Sequence, residues 1–320
     1  MVVPSRGPAA RVRRLLDSLA AQTVEHEALL VDNGSPSGEV ASLCSEYPFA
    51  TAIRLPENRG YSAPVNLAAE RASGEVLVLV NDDCVCDPAF VERIAAVLDP
   101  GAGVVMAAGV MREGADPRLI DTAGMALDRT LLVYDYLNGM PLAALEGAAD
   151  PIGPSAAAAA FDRAAFVEVG GLDERLFAYW EDVDLVLRLL QAGGSCRLAS
   201  GALGMHEHSA TLGAGSSAKN RLMGFGRGYV LRKWQVCTPR RLPGVLAREL
   251  VLLAGQAAID RTVSGAAARI AGWRAARPHS PYPPAVAERG GGDSLGRTLW
   301  RRLRRRRRIR RAAAGRAEDA

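Results

Sequence analysis

Short apolar segments alternate with helical patterns along the first hundred residues of the chain. The last of these segments, 75–80, is apolar apart from its first residue, as expected for a strand that is covered on both faces of a sheet. Leu15, Leu16 and Leu19 have the spacing of a helix. The repeated order of strand and helix predicts a doubly wound α/β sheet. The predicted strands are 2–4, 28–31, 51–55 and 75–80, and the predicted helices are 11–21 and 62–73.

The pattern beyond residue 100 is less regular. The dipeptide Asp87-Pro88, just before this part, predicts a helix start with Asp87 as N-cap and Pro88 at the first position. Val183, Leu187 and Leu190 share one face of a predicted amphipathic helix. The other predicted elements are a strand at 104–106, a β-hairpin at 119–136, a loop at 139–154, that helix at 181–191, and two or three helices within 219–277.

The composition is that of a globular protein. Hydrophobic residues make up 49% of the 320 residues and charged residues 23%. Five cysteines are too few for a disulfide scaffold, and we expect all five to be reduced. No unbroken apolar stretch reaches the roughly 18 residues of a membrane span, and no signal peptide is visible. The sequence therefore predicts a cytoplasmic protein.

The charge is distributed unevenly along the chain. Residues 1–218 hold 15 Arg against 29 Asp and Glu, whereas residues 219–320 hold 24 Lys and Arg against 6 Asp and Glu. This asymmetry indicates chemistry in the acidic part and attachment to an anionic partner in the basic part. We predict a catalytic domain at 1–218, a helical extension at 219–277 and a flexible basic tail at 278–320, which is rich in Pro and Gly before its Arg run.

The strongest local motif is Asn81-Asp82-Asp83, directly after the fourth predicted strand. Ligands of open α/β sheets bind beyond the carboxyl ends of the strands. Adjacent carboxylates at such a place suit Mg²⁺ or Mn²⁺ carrying a diphosphate. A surface turn with solvated acids explains the triplet about equally well.

Three further motifs carry candidate chemistry. Asp32 ends the second strand and can accept hydrogen bonds from a nucleobase, although a simple Asx turn is the more frequent reason for such a residue. Glu181, Asp182 and Asp184 begin a helix, where carboxylates either interact with the helix dipole or act as a general base. His206 follows an apparent strand and is a candidate ligand, although a lone histidine is more often structural. Cys84 and Cys86 lack the second pair that a zinc site needs.

The order of these motifs along the chain resembles glycosyltransferase family 2, which has the GT-A fold. It looks most like the rhamnosyltransferases of bacterial cell-wall and surface polysaccharides. The resemblance covers about residues 1–235. The motifs that carry it are Val3-Pro4-Ser5, Val31-Asp32-Asn33-Gly34-Ser35, Asn58-Arg59-Gly60-Tyr61, Asn66, Asn81-Asp82-Asp83, Gly170-Gly171-Leu172-Asp173-Glu174, Trp180-Glu181-Asp182-Val183-Asp184-Leu185, Arg188 and His206-Glu207-His208-Ser209-Ala210-Thr211.

The resemblance implies a binding site for a nucleotide-sugar donor. Pro4, Ser5 and Asp32 would line the nucleotide pocket, with Asp32 holding the base. The remaining residues implied near the donor are Arg59, Asn66, Asn81 and Asp82.

The resemblance also implies a metal site and a base. Asp83 matches the metal-binding end of the family's Asp-x-Asp motif, and His206 matches a histidine that approaches the metal or the diphosphate. Asp182 matches the catalytic base, with Glu181 beside it, for an inverting transfer to an acceptor hydroxyl. Asn81 stands where the motif has its first Asp, which leaves a Mg²⁺ or Mn²⁺ ion with fewer charged ligands.

Two other functions remain open at this point. A catalytically silent scaffold could keep the same fold, although the set of Asp32, Asp83 and Asp182 argues against it. A nucleotidyltransferase would need a Gly-rich phosphate loop with a basic residue, for which Ser5-Arg6-Gly7 is a poor candidate.

The basic C-terminal region has three interpretations. Attachment to an anionic membrane surface is favoured because apolar residues and Trp300 alternate with the Arg run at 297–311, and because 242–259 is apolar enough to lie in an interface. A solvated tail is the second interpretation. Nucleic-acid binding is the least favoured, since aromatic residues are scarce among the basic ones. The resemblance implies a saccharide or polyprenyl-linked saccharide acceptor at the inner face of the plasma membrane.

Overall fold

A mixed sheet forms the centre of the computed structural model, which describes residues 1–36, 38–206, 216–283 and 286. Nine strands join this sheet in the described part, and two more pair separately as a hairpin. The strands are β1 (Val2–Ser5), β2 (Ala28–Asn33), β3 (Ala50–Leu55), β4 (Val76–Val80), β5 (Cys84–Cys86), β6 (Val104–Glu113), β7 (Asp116–Thr122), β8 (Met125–Leu127), β9 (Val133–Asp135), β10 (Ala158–Asp162) and β11 (Ser195–His206).

The strand order brings the carboxyl ends of the first strands to one edge. The order is β3-β2-β1-β4-β10-β6-β11-β5, with β7 paired to β6. β1 to β4 are parallel, β10 runs antiparallel to both neighbours, and β11 is parallel to β6. Ser5, Asp32 and Asn81 therefore leave the sheet on the same side.

Alternating side chains of the central strands enter two hydrophobic cores. Val2 and Leu29 belong to one core and Val3 and Leu30 to the other, and all are buried. This alternation follows from the two-residue period of a strand. The sheet is covered on both faces, which confirms the doubly wound arrangement predicted from the apolar run at 75–80.

The helices largely follow the hydrophobic pattern, with one error at a helix start. Asp87 does not cap a helix: α4 begins at Phe90 after Ala89, and the Asp87 carboxylate instead pairs with Arg112. The helices are α1 (Ala9–Ala20), α2 (Glu39–Ser42), α3 (Ser62–Arg71), α4 (Phe90–Ala95), α5 (Arg163–Glu168), α6 (Glu181–Gln191), α7 (Ser217–Lys233), α8 (Leu242–Gly255) and α9 (Ser264–Ala275).

Short helical turns and the hairpin complete the fold. The sequence predicts one hairpin at 119–136, which is only partly right. β7 pairs with β6, and β8 and β9 form the separate hairpin. The predicted loop at 139–154 contains a 3₁₀ turn at Leu142–Leu145. The other 3₁₀ turns are Leu43–Glu46 and Pro100–Ala102, and a π-helical turn, Gln256–Asp260, continues α8.

The last three helices pack on the sheet-containing part, residues 1–206, mainly through α7. Tyr229 and Val230 of α7 and Trp234 directly after it are buried in the same core as β1 and β2. α9 crosses α7 so closely that a Cβ at Gly228 would collide with the backbone of Arg269, and one at Gly272 with that of Phe225. Small residues at such a crossing allow backbones to approach. α7 is thereby held between the sheet-containing part and α9.

Candidate active site

Asp82 lies at the carboxyl edge of the sheet in a buried polar cluster. Its Oδ2 accepts hydrogen bonds from the hydroxyl of Ser5 and from Nη2 of Arg11, the latter at 2.9 Å. Arg11 comes from α1 and is buried with Asp82. Burial raises the pKa of Asp82, although its bonds to Ser5 and Arg11 oppose the shift. Asp82 is thus held by the protein itself, and the sequence did not single out Arg11.

Asp83 and His206 form the second part of the cluster. His206 ends β11, and its Nε2 lies 3.1 Å from Oδ1 of Asp83. Its Nδ1 lies 2.8 Å from Oδ2 of Asp121 on β7. Burial works against the charged imidazole, but the two carboxylates outweigh it and raise the pKa of His206 to about 9. Asp121 orients the ring and was not predicted from the sequence.

The same cluster offers ligands for a divalent cation. Ligand atoms of Asp83, Cys84 and His206 lie within 4.8 Å of one another. The Cys84 Sγ points to the carbonyl of Ala157, and burial raises the pKa of the Cys84 thiol well above its usual range. A protonated thiol is a poor ligand, so the useful donors are the carboxylate of Asp83 and the imidazole of His206, which can ligate only after giving up the proton that faces Asp83. Such O and N donors suit Mn²⁺ or Mg²⁺ with phosphate oxygens and water completing the shell.

Glu181 and Asp182 begin α6 after two strained residues. Tyr179 and Trp180 both have positive φ angles, 70° and 76°. Bulky residues adopt this region at a cost of about 1–3 kcal/mol each, which persists only where surrounding contacts impose it. The strain aims the first turn of α6, and with it the carboxylate of Asp182.

Helix α7 supplies the contacts that hold this strained pair. The indole Nε1 of Trp180 donates to the carbonyl of Met223 at 3.0 Å. Arg227 and Lys219 lie over the rings of Trp180 and Tyr179, at 5.4 and 5.3 Å from their centroids. The position of Asp182 therefore depends on α7.

The two neighbouring acids of α6 differ in their surroundings. Burial raises the pKa of Asp182 to about 6, while backbone N–H groups of Val183 and Ala156 limit the shift. Burial, followed by the charge of Asp182, raises the pKa of Glu181 well above its usual range. Oε2 of Glu181 is buried and has no hydrogen-bond partner among the described residues. At pH 7 Asp182 is thus mostly ionised, whereas the burial of Glu181 favours its neutral form.

Tyr61 connects the two groups of acids. Burial raises the pKa of its phenol, and the next causes are the charges of Glu181 and Asp182, with a further contribution from Asp82. Its hydroxyl lies 3.4 Å from the carbonyl of Ala156, whose N–H faces Asp182. The acids of the sheet edge and of α6 therefore both lie close to Tyr61.

Asp32 lies at the end of β2 and is fully buried. Its two oxygens accept from the N–H and the hydroxyl of Ser35, at 2.8 and 3.0 Å, which is an Asx-type turn. A carboxylate has further lone pairs, and a nucleobase contact would use those. Pro4 lies on the adjacent β1, in register with Val31.

Arg59 lies on a turn that Asn33 holds. The Asn33 Oδ1 accepts from the Arg59 N–H at 2.9 Å, and its Nδ2 donates to the Gly60 carbonyl at 2.6 Å. The guanidinium of Arg59 is half exposed and lies 3.5 Å from Glu174. Asn33 therefore positions Arg59. The motif at residues 31–35 contains Asn33, but the sequence did not predict this role.

Asn66 lies apart from the acids, against the loop that precedes α6. Its side chain donates to the carbonyl of Leu172 and accepts from the N–H of the same residue, at 2.9 and 2.8 Å. It lines a cleft of about 650 Å³ beside this loop, whose lining includes none of Asp82, Asp83, Asp182 and His206. The structure thus brings Ser5, Asp82, Asp83 and His206 together and leaves Asn66 outside.

One predicted site residue and the end of one motif remain to be placed. The carbonyl of Asn81 accepts from the N–H of Cys84 at 3.1 Å, which turns the chain between β4 and β5. Glu207, His208 and the residues that follow them up to Thr211 lie outside the described residues. All five cysteines are free thiols, as predicted.

A substitution at Gly226 tests how closely the site depends on α7. A Cβ there would lie 2.5 Å from Cδ1 of Trp180 and 2.8 Å from the carbonyl of Tyr179. We expect Gly226→Ala to cost about 1–3 kcal/mol of unfolding free energy and to lower kcat about tenfold by displacing Asp182. Nucleotide binding should persist, since the groups that hold Asp82 come from Ser5 of β1 and Arg11 of α1.

The matched control for this variant is Gly244→Ala in α8. Nothing lies within 4 Å of a Cβ at that position, so the helix should gain about 0.5–1 kcal/mol. Thermal unfolding and steady-state kinetics of both variants check the prediction. Wild-type kcat in Gly226→Ala would contradict the support by α7.

Comparisons with known proteins find similarity to glycosyltransferases. Residues 1–144 match the model of glycosyl transferase family 2. The chain is 28% identical to the O-antigen biosynthesis protein RfbC of Myxococcus xanthus over 202 residues, which cover 60% of the chain and 16% of that protein. It is 27% identical to an uncharacterized glycosyltransferase of Haemophilus influenzae over 199 residues, 60% of the chain and 61% of the relative. The chain thus spans less than two thirds of either relative.

A third relative has a more specific name. The N-acetylglucosaminyl-diphospho-decaprenol L-rhamnosyltransferase of Mycobacterium tuberculosis is 28% identical over 226 residues, which cover 60% of the chain and 70% of that enzyme.

Two solved structures share the fold. GalNAc-T7 with UDP, GalNAc and Mn²⁺ has a TM-score of 0.57 at 17% identity, over 73% of this chain and 47% of that one. The mannosyltransferase PcManGT of Pyrobaculum calidifontis with GDP-Man and Mn²⁺ has a TM-score of 0.53 at 19% identity, over 90% and 76%. The expected fold is confirmed: the chain has a GT-A fold extended by C-terminal helices. Its residues 1–144 match glycosyl transferase family 2, and its sequence is similar to that of a rhamnosyltransferase.

Proposed function

We propose that this protein transfers a sugar from a nucleoside-diphosphate donor to a hydroxyl of a saccharide or lipid-linked saccharide, with inversion at the anomeric carbon. One observation carries the proposal. Asp182, a carboxylate with a pKa raised to about 6, lies on one side of Tyr61, and the cluster of Asp82, Asp83 and His206 lies on the other. This arrangement combines a base with a site for a metal and a diphosphate.

The sheet edge would bind the donor. Ser5 and Arg11 fix the carboxylate of Asp82, and Asp32 offers its remaining lone pairs to the nucleobase. Asp83 and His206 would hold Mn²⁺ or Mg²⁺. When bound, such an ion supplies positive charge that stabilises the leaving diphosphate. Asp121, through its bond to the other nitrogen, keeps His206 aimed at this position.

Asp182 would act on the acceptor. Its carboxylate takes the proton of the attacking hydroxyl while the oxygen bonds to the anomeric carbon. The bond between that carbon and the diphosphate oxygen breaks, and its electron pair leaves with the nucleoside diphosphate. A single displacement of this kind inverts the configuration and needs no covalent sugar–enzyme intermediate.

The activity should fall on acidification because Asp182 must be ionised. With a pKa of about 6, most Asp182 is charged at pH 7, and kcat/KM should fall tenfold per pH unit below 6. Initial rates between pH 4.5 and 8 measure this limb. The residual activity of Asp182→Asn serves as the control and should lack it. A wild-type rate that is flat down to pH 5 would contradict the assignment.

The donor and acceptor are proposed from the named relatives. The relative from M. tuberculosis is named for transfer of L-rhamnose to a lipid-linked saccharide, so we propose a dTDP-linked deoxysugar as the first donor to test, with UDP sugars second. The matching acceptor class is a polyprenyl-diphosphate saccharide. Such an acceptor would place the protein in the cytoplasm, peripherally on the inner face of the plasma membrane.

Product analysis tests the proposed reaction. The chain is incubated with Mn²⁺, a dTDP, UDP or GDP sugar and a lipid-linked N-acetylglucosamine acceptor, and proton NMR reads the anomeric configuration of the product. The proposal expects an inverted glycoside and a released nucleoside diphosphate. A retained configuration would refute the single displacement, pyrophosphate release would indicate a nucleotidyltransferase, and a folded chain without nucleotide binding would indicate a scaffold.

A further inference from the structure

Helix α8 turns its charged side chains toward the protein and its apolar side chains toward solvent, the reverse of an ordinary surface helix. Its charged residues, Arg248 and Glu249, face the protein: Arg248 pairs with Asp128, and Glu249 pairs with Arg227 and Arg269. Val245 of the same helix is 1% exposed. A surface helix normally turns its charged side outward.

The outward face of α8 is apolar throughout. Leu246 is 54% exposed, Leu250 67% and Val251 42%. Leu242, Leu246 and Leu250 follow one another at intervals of four residues, which aligns them along one side of the helix. The remaining exposed residues between Leu242 and Ala258 are Pro, Gly and Ala. Leaving this side in water is unfavourable, and such patches mark interaction sites.

Helix α9 and the segment before it add three more exposed apolar side chains. Val263 is 64% exposed, Ile270 57% and Trp273 37%. The pair between Arg269 and Glu249 ties α9 to α8. We call these seven side chains the apolar face; they are Leu242, Leu246, Leu250, Val251, Val263, Ile270 and Trp273.

The exposed charged residues of the described segment 216–283 have one sign. The acids of the described segment 216–283 are Glu249 and Asp260, and neither is exposed. Glu249 is neutralised by two arginines, and Asp260 accepts from Asn220. Exposed arginines lie before α8, after it, and in and after the last turn of α9: Arg240, Arg241, Arg261, Arg274 and Arg277.

The inward contacts of α8 determine how it would meet a lipid bilayer. Leu242–Asp260 is the one helix of the described part that has the length and hydropathy of a membrane span, and 6% of it is buried. A span would place Arg248 and Glu249 in the hydrocarbon, away from Asp128, Arg227 and Arg269. Keeping those ion pairs requires α8 to lie along the surface, with only its outer side in the apolar layer.

We propose that α8 and α9 dock the protein on an anionic phospholipid surface, through the apolar face and the surrounding arginines. This surface specifies how the proposed membrane location would be reached. It rests on the proposed function only in that docking would give access to a lipid-linked acceptor. The apolar side chains enter the boundary between headgroups and acyl chains, and the arginines pair with lipid phosphates. The Arg run at 297–311, outside the described residues, adds charge of the same sign.

Vesicle sedimentation of the full chain tests the surface. Vesicles of phosphatidylcholine alone are compared with vesicles that also contain phosphatidylglycerol, without donor or acceptor. We expect binding to the anionic vesicles that weakens with salt. The double variant Leu246→Glu/Leu250→Glu should lose at least tenfold in partitioning. Val24→Glu, at a 37% exposed valine outside α8 and α9, is the matched control and should bind as wild type.

Each alternative occupant has its own outcome. If the double variant partitions like the wild type, the proposal is overturned. This holds both when the C-terminal tail alone binds the vesicles and when neither protein binds them. A dimer in sedimentation equilibrium without lipid, which the double variant dissociates, would assign the face to a second copy of the chain and also overturn it. Nucleotide binding measured without vesicles reports separately on the proposed function, since neither leucine lies at the candidate active site.

Discussion

Replacement of Asp182 by asparagine is expected to lower the transfer rate by about 10²–10⁴-fold, the usual contribution of a general base. Asparagine keeps the size of the side chain but cannot take the proton of the acceptor hydroxyl. Donor binding should remain within a few-fold of wild type, because Ser5, Arg11 and Asp82 form their contacts away from α6. Steady-state kinetics together with calorimetry separate the two effects.

The neighbouring acid gives the sharpest contrast. Burial raises the pKa of Glu181 well above its usual range, which favours the neutral acid, and glutamine is close to that form in shape and charge. Glu181→Gln should therefore retain activity within about tenfold of wild type. Glu168→Gln, at an exposed carboxylate of α5 outside the site, controls for general effects of the change. If Glu181→Gln lost activity while Asp182→Asn kept it, Glu181 and not Asp182 would be the base.

Replacement of Asp83 by asparagine is expected to have the second largest effect. The variant loses the one charged oxygen ligand of the candidate metal site, and stabilisation of the leaving diphosphate by a metal is worth several kcal/mol. This corresponds to a loss of about 10²-fold or more in kcat/KM. The affinity for Mn²⁺, measured by calorimetry in the presence of the nucleoside diphosphate, should fall as well.

Asp121 provides a graded comparison for Asp83. Its carboxylate contacts the far nitrogen of His206 and lies behind the proposed ligands. Asp121→Asn should weaken Mn²⁺ binding by about 10–100-fold, as is typical for a residue that orients a ligand. Equal Mn²⁺ affinity in wild type, Asp121→Asn and Asp83→Asn would show that the metal does not bind at this cluster.

Much of the sheet could be predicted from local patterns. β2 and β4 are short apolar runs bounded by turn residues, because their alternating side chains enter two cores, and the continuous apolar composition identified them. The helix at 181–191 was identified by the helical spacing of Val183, Leu187 and Leu190. Asp87 was misassigned because an isolated Asp-Pro pair does not reveal Arg112, which competes for the carboxylate.

The candidate site was predicted only where its residues lie in a motif. Asp82 and Asp83 follow a strand directly, whereas Arg11 and Asp121 reach the cluster from α1 and β7, 71 and 85 residues away from their partners. Pairing across such distances depends on the register of the sheet. The positive φ angles of Tyr179 and Trp180 are equally invisible in the sequence, because contacts with α7 impose them.

The most direct measurement is a calorimetric titration of the wild-type chain with dTDP, UDP and GDP, each with and without Mn²⁺. The account predicts that one nucleotide binds selectively, that Mn²⁺ strengthens its binding at least tenfold, and that Asp83→Asn removes the enhancement. Absence of binding by all three nucleotides to a demonstrably folded chain would contradict the assignment of a donor site.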